Sequence, residues 1–198
     1  MANDTRIRML QATARLLRQR GYHGTSLNDI LAASGAPRGS LYFHFPGGKD
    51  QLVIEVTRAS IEEISQRLAR TLAEEKTPAA AVRRIVEATA QALGEADYTL
   101  GCPVAPVVLD GTSEVPELME LCRQAFVEWI GLMREAFIRG GIDPARAGSL
   151  ALLVEASIEG LIVVTRASRD NRPMIAVADE LAKILEAAVE PRAAEAAL

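Results

Sequence analysis

The stretch Gly35-Ala36-Pro37-Arg38-Gly39-Ser40-Leu41-Tyr42-Phe43-His44-Phe45-Pro46-Gly47-Gly48-Lys49 decides how this chain is read. Pro37 lacks the N–H that a first helical residue leaves unpaired anyway, so it opens a helix well. Pro46-Gly47-Gly48 ends that helix by about Phe45, through a lost donor and two permissive residues. Leu41 and Phe45 lie one turn apart and anchor the short helix inward, leaving Arg38, Ser40, Tyr42 and His44 for the outer face. Upstream, Thr25-Ser26 opens a second short helix that ends at Gly35, with Ser26 and Asp29 at capping-box spacing and Leu27, Ile30 and Leu31 facing inward. Upstream again, Asn3 to Gly21 forms a helix with Ile7, Leu10, Ala14 and Leu17 on one face and Gly21 as its left-handed stop. A helix, a turn containing Gly and a second short helix make a helix-turn-helix unit.

Composition extends the all-α reading to the whole chain. In 198 residues, 49% are hydrophobic, 24% charged and only 4% aromatic, which excludes a disordered chain and favours helices over an aromatic-rich sandwich or barrel. The net charge of -4 is unevenly spread: residues 1–50 carry seven basic and three acidic groups, so this part is +4 and the remainder -8. A basic N-terminal quarter is the part suited to a polyanion. Cys102 and Cys122 form no metal-ligand spacing and are too few for a disulfide framework, so a reducing compartment is expected. No signal peptide and no run of about 18 apolar residues is read, so the expectation is a soluble cytoplasmic protein without membrane, metal or cofactor.

Downstream, helices are expected over Lys49 to Glu75, from Thr77-Pro78 to a stop at Gly94, over Glu114 to Gly140, from Asp143-Pro144 to Ser168, and from Pro173 to Glu190-Pro191. Asp97 to Ser113 reads as an irregular short helix and loop, broken by Pro103 and Pro106. Arg192 to Leu198 reads as a frayed tail.

The pattern Gly24-Thr25-Ser26-Leu27, then Gly35 to Phe45 with Leu41-Tyr42-Phe43-His44-Phe45, then Lys49-Asp50-Gln51-Leu52 resembles the TetR/AcrR-type bacterial transcriptional regulators. Pro46-Gly47-Gly48-Lys49, together with Leu100-Gly101-Cys102-Pro103-Val104, looks like the LmrA/YxaF-like branch. The resemblance implies an N-terminal three-helix helix-turn-helix DNA-binding domain, residues 1–48, and a C-terminal helical ligand-binding and dimerisation domain, residues 49–198. It also implies that Thr25, Tyr42, His44 and Lys49 contact the DNA backbone, with Arg38, Gly39 and Ser40 nearest the bases; Ser26 and Phe43 complete the expected DNA-binding set. Arg reads guanine edges in the major groove, whereas Ser, Tyr, His and Lys mostly hold phosphates. Arg15, Arg18 and Arg20 read as a solvated helix face and His23 as a solvated turn residue.

The scarce large side chains Met119, Phe126, Trp129, Met133 and Phe137 recur at helical steps, and with Cys102 and Val104 they are the candidate effector pocket. Leu150, Leu153, Ile158, Leu161 and Val164 on one helix, and Ile175, Ala178, Leu181 and Leu185 on the next, exceed a single face and are the candidate dimer interface. Glu155 and Glu159 read as a solvated or salt-bridged pair. The expected function is a homodimeric regulator of a near-palindromic operator, a repressor released by an unknown small molecule, its two recognition helices about 34 to 36 Å apart. The alternatives are control by a protein partner, control by Cys102 oxidation, or activation. With no GxSxG, P-loop or HExxH motif, an enzyme is not expected.

Overall fold

Side-chain capping sets the starts of three helices. The Ser26 hydroxyl accepts from Asp29 N–H at 3.1 Å while Asp29 Oδ2 accepts from Ser26 N–H at 3.0 Å, a full capping box. Thr77 accepts from Ala80 N–H at 3.1 Å, and Asp143 accepts from Ala145 and Arg146. Pro78 and Pro144 follow those caps in the first turn of their helices.

The computed structural model describes residues 2–111 and 114–189, and among them it contains nine α-helices. These are α1 (Ala2–Arg20), α2 (Leu27–Ser34), α3 (Arg38–His44), α4 (Gly48–Glu74), α5 (Pro78–Glu95), α6 (Ala105–Leu109), α7 (Pro116–Arg139), α8 (Pro144–Ser168) and α9 (Arg172–Ala188). The only other pairing among the described residues is an isolated antiparallel bridge between Ile142 and Val189. The expected tail, Arg192 to Leu198, lies outside the described residues. The fold class is all-α, as the sequence predicts.

Several boundaries differ from expectation by one or two residues, among them the start of α7 at Pro116 and the end of α9 at Ala188, and two of the differences have a visible local cause. Pro37 is extended at the N-cap (φ -62°, ψ 140°), so α3 starts one residue later, at Arg38. Gly94 does not stop α5, which runs to Glu95; the left-handed residues are Asp97 and Tyr98, whose amides return to Gly94 and Leu93.

The described residues fall into two structural units. The first, up to Ile64 with Thr99–Phe126, packs α1 against α2 and α6. Its core is Met9, Leu16, Ile30, Ala36, Leu41, Phe45 and Leu52, flanked by Leu10, Leu27 and Leu31. The inner face of α1 is therefore Met9, Thr13, Leu16 and Leu17, and Ile7, expected inside, is exposed. Thr13 tolerates burial because its hydroxyl donates to the Met9 carbonyl at 2.8 Å.

The second unit, Ser65–Tyr98 with the chain from Val127 onward, packs α5 on α9 and on α8. Arg83 of α5 bridges Asp179 and Glu186 of α9 at 3.2 and 3.1 Å. By length and composition α8 is apolar enough to cross a membrane, which corrects the sequence expectation. One side of α8 is nonetheless core, with Leu150, Val154, Ile158 and Leu161 buried in the unit.

Candidate nucleic-acid interface

Helix α3 takes its orientation from two side chains. Leu41 and Phe45 are buried in the first unit's core at 1% and 0% exposure, as expected, and the Arg6 guanidinium lies 5.1 Å from the Phe45 ring centroid. Arg6 itself pairs with Glu55 of α4. Around the turn, Gly35 takes the left-handed conformation (φ 63°) and the Arg8 Nη1 donates to the Ser34 carbonyl at 3.1 Å, closing the end of α2.

The opposite side of α3 is open. Tyr42 is 60% and Phe43 76% exposed, Arg38 and Gly39 are exposed, and Ser40 and His44 are half-buried. A Cβ built on Gly39 would meet nothing within 4 Å, so this glycine leaves room for an approaching surface. The Ser40 hydroxyl donates to the Pro37 carbonyl at 2.6 Å, securing the first turn. His44 stands edge-on to Phe43, ring centroids 5.0 Å apart. Six of the nine residues expected to meet DNA thus share one short helix: Arg38, Gly39, Ser40, Tyr42, Phe43 and His44.

The other three sit differently. Ser26 is exposed at the start of α2 with its hydroxyl committed to the capping box. Thr25 is fully buried, and its hydroxyl donates to the Gly21 carbonyl at 2.8 Å. The Lys49 Nζ lies 3.7 Å from the centroid of the Tyr22 ring, and burial lowers its pKa against the opposing pull of Asp50, Asp110 and Glu114. The Tyr22 hydroxyl donates to Asp50 at 2.5 Å; burial first, then that bond, push the phenol well above its ordinary range.

This basic end of the chain is stapled to the segment preceding and forming α6, a contact the sequence does not reveal. Arg18 donates to the Gly101 carbonyl at 2.7 Å, so it is not part of a solvated face. His23 is exposed in its turn, as expected, and is tethered as well: its amide donates to Asp110 at 3.0 Å and its ring lies 3.4 Å from Glu114. A Cβ on Gly21 (φ 73°) would fall 2.3 Å from the Asp110 carboxylate, so this position needs glycine on two counts.

The expected effector residues divide between the units. Cys102 and Val104 are buried and Met119 and Phe126 half-buried in the first, while Trp129, Met133 and Phe137 are buried in the second. The Trp129 indole donates to the Ser65 hydroxyl at 3.0 Å. Burial raises the Cys122 thiol to about 11, which leaves it unreactive. A surface groove of about 180 Å³ between α1 and α2, lined by residues including Arg8, Arg15 and Ser34, contains none of the expected pocket residues.

The expected dimer residues also divide. Leu150, Ile158, Leu161, Ala178, Leu181 and Leu185 are buried within their own chain, whereas Leu153, Val164 and Ile175 are exposed. Leu152 and Val163, missed in the sequence, are exposed beside them, and Ala156 and Gly160 continue the same face of α8. Glu155, expected to be solvated or paired, is instead buried, and burial with the neighbouring Glu159 carries its pKa up to about 7.

Comparison with known proteins matches both parts of the chain. The family model for bacterial regulatory proteins of the tetR family covers residues 9–56, and that for the C-terminal domain of LmrA/YxaF-like transcriptional regulators covers residues 78–180. The HTH-type transcriptional regulator LmrA of Bacillus subtilis is 32% identical over 183 residues, spanning 92% of this chain and 97% of the relative. A TetR transcriptional regulator from Chloroflexus aurantiacus superposes with a TM-score of 0.79 at 28% identity, covering 93% and 96% of the two chains. The fold also matches the TetR-family regulator CifR, solved as a cysteine mutant with 26-bp operator DNA, at a TM-score of 0.77 and 23% identity over 88% of this chain and 93% of that one. A helix-turn-helix whose second helix turns donors and aromatic rings outward, joined to a helical second part of this type, is that of a DNA-binding transcriptional regulator and not of an enzyme: the chain belongs to the TetR family, in its LmrA/YxaF-like branch.

Proposed function

We propose that the chain is a homodimeric repressor that occupies a near-palindromic operator and leaves it when a small molecule binds. The observation that carries this reading is the outward face of α3, where exposed Gly39, Tyr42 and Phe43 turn away from the buried anchors Leu41 and Phe45, with Arg38 exposed at the start of the helix. In the major groove Arg38 reads a guanine edge while Tyr42 and His44 hold phosphates and fix register, and Ser26 caps the start of α2 beside them. Lys49, seated on the Tyr22 ring, and buried Thr25 steady the interface by packing beside it.

The dimer reading rests on α8. Leu152, Leu153, Ala156, Gly160, Val163 and Val164 form a continuous exposed face of small and branched side chains, and Ile175 of α9 is exposed with them. A second copy covering that face gives two recognition helices and a two-fold operator. The division of labour follows the chain: residues 1–48 bind DNA and residues 49–198 bind the effector and dimerise. Such a regulator acts where the chromosome is, in the cytoplasm.

Release requires that the effector favour a conformation that DNA does not, and linkage makes the effect reciprocal. The ties from Arg18 to Gly101 and from His23 to Asp110 supply a mechanical path into the DNA-binding end for any shift of the segment around α6. Selection of bound duplexes from a random pool, repeated with candidate small molecules, tests the reading. The expected result is a palindromic consensus whose retention falls when an effector is added; no enrichment at low salt would refute it.

A further inference from the structure

One exposed side chain on α3 has no use in the fold and no polar atom to offer a phosphate. Phe43 is 76% exposed, whereas the other phenylalanine of that helix end, Phe45, is fully buried. On a helix of about 100° per residue, Phe43 lies about 180° from the midpoint of Leu41 and Phe45, the direction that faces the core. It is therefore the outermost side chain of the helix. Gly39 and Ser40, one turn before it, lie about 40° and 60° to its sides, and Tyr42 and His44 about 100° away on the two flanks.

This layout separates roles by chemistry. The flanking positions carry groups that bond phosphates, and the central line carries a residue without a side chain, a hydroxyl already donating to the Pro37 carbonyl, and an apolar ring. The His44 ring stands edge-on to it, with centroids 5.0 Å apart. An apolar group at the floor of the major groove distinguishes base pairs through one feature, the C5-methyl of thymine. Resting on the DNA-binding reading above, we propose that Phe43 is a specificity-determining residue that packs on a thymine methyl in each operator half-site.

The test uses full-length protein and the duplex that wild-type protein enriches from a random-sequence pool. That duplex is resynthesised with deoxyuridine replacing each thymine in turn, which deletes one methyl and keeps every Watson–Crick bond. For wild type, affinity should fall about fourfold, the worth of one buried methyl, at one symmetry-related pair of positions. Phe43→Ala, whose exposed position keeps the fold intact by thermal melting, should bind the parent duplex more weakly and be indifferent to deoxyuridine at that pair. Equal loss in wild type and Phe43→Ala, or no loss at any thymine, would overturn the role of Phe43 while leaving DNA binding standing. Failure of wild type to enrich any duplex would instead remove the DNA-binding reading itself, and this proposal with it.

Discussion

Arg18 and Gly101 hold each other twice: the Arg18 Nε donates to the Gly101 carbonyl at 2.7 Å, and the Gly101 N–H returns to the Arg18 carbonyl at 3.1 Å. Only the first bond needs the side chain. Arg18→Met, which keeps the aliphatic stem, should lower stability by about 1.5 to 3 kcal/mol, the range for one hydrogen bond made by a charged group. Urea unfolding checks this, and an unchanged midpoint would show the side-chain bond to be idle.

Phe45 fixes which way α3 points. Phe45→Ala should cost about 3 to 5 kcal/mol and abolish DNA binding near physiological temperature, because the cavity removes the anchor opposite the exposed face. Circular dichroism melts alongside a mobility shift read both effects. Retained stability would mean that the helix is held by something other than its two inward residues.

The exposed face of α8 makes a different kind of prediction. Val164→Asp and Leu153→Asp place charge on a surface that a single chain leaves open, so they should yield folded monomers. Sedimentation would show half the wild-type mass with unchanged helicity. Unfolding of both variants would place those side chains in the core, and association with lipid vesicles would assign the face to a bilayer instead.

Glu155 gives stability a pH slope. Its pKa rises from 4.5 to about 7 in the folded protein, so the native state holds the proton more tightly than the unfolded chain. Stability from this group is complete below about pH 4.5 and is lost as pH climbs to about 7. Glu155→Gln should remove that slope and raise stability at pH 8 by an amount on the order of 3 kcal/mol. Parallel pH dependence in wild type and variant would contradict it.

Arg38→Ala should relax base preference as well as weaken binding, while Tyr42→Phe should weaken binding almost evenly across sequences. Lys49→Ala should reduce stability through the lost contact with Tyr22 and leave the salt dependence of binding nearly unchanged. A Lys49→Ala slope lower by about one in log affinity against log salt would show that this amine reaches a phosphate after all.

What was legible in the sequence was local. The Ser26 and Asp29 capping box, the starts at Thr77-Pro78 and Asp143-Pro144, and the inward pair Leu41 and Phe45 all rest on residues within one turn of each other, where spacing and chemistry are sufficient. Contacts between distant residues were not legible: nothing near Lys49 in sequence announces the Tyr22 ring, and nothing near His23 announces Asp110. Helix α8 failed for another reason. It is apolar on every side, so periodicity could not separate the core residues Leu150 and Ile158 from the exposed Leu153 and Val164. On α1 a buried threonine, bonded to its own helix, shifted the inner face away from Ile7.

Helix α3 spends two side chains on staying in place and turns the others outward, where the remainder of the chain asks little of them. Target preference can then drift by single exchanges at Arg38, Gly39 or Phe43 without unfolding the regulator. Descendants of one ancestral gene would acquire new operators in small, viable steps, each variant still folding well enough for selection to judge what it binds.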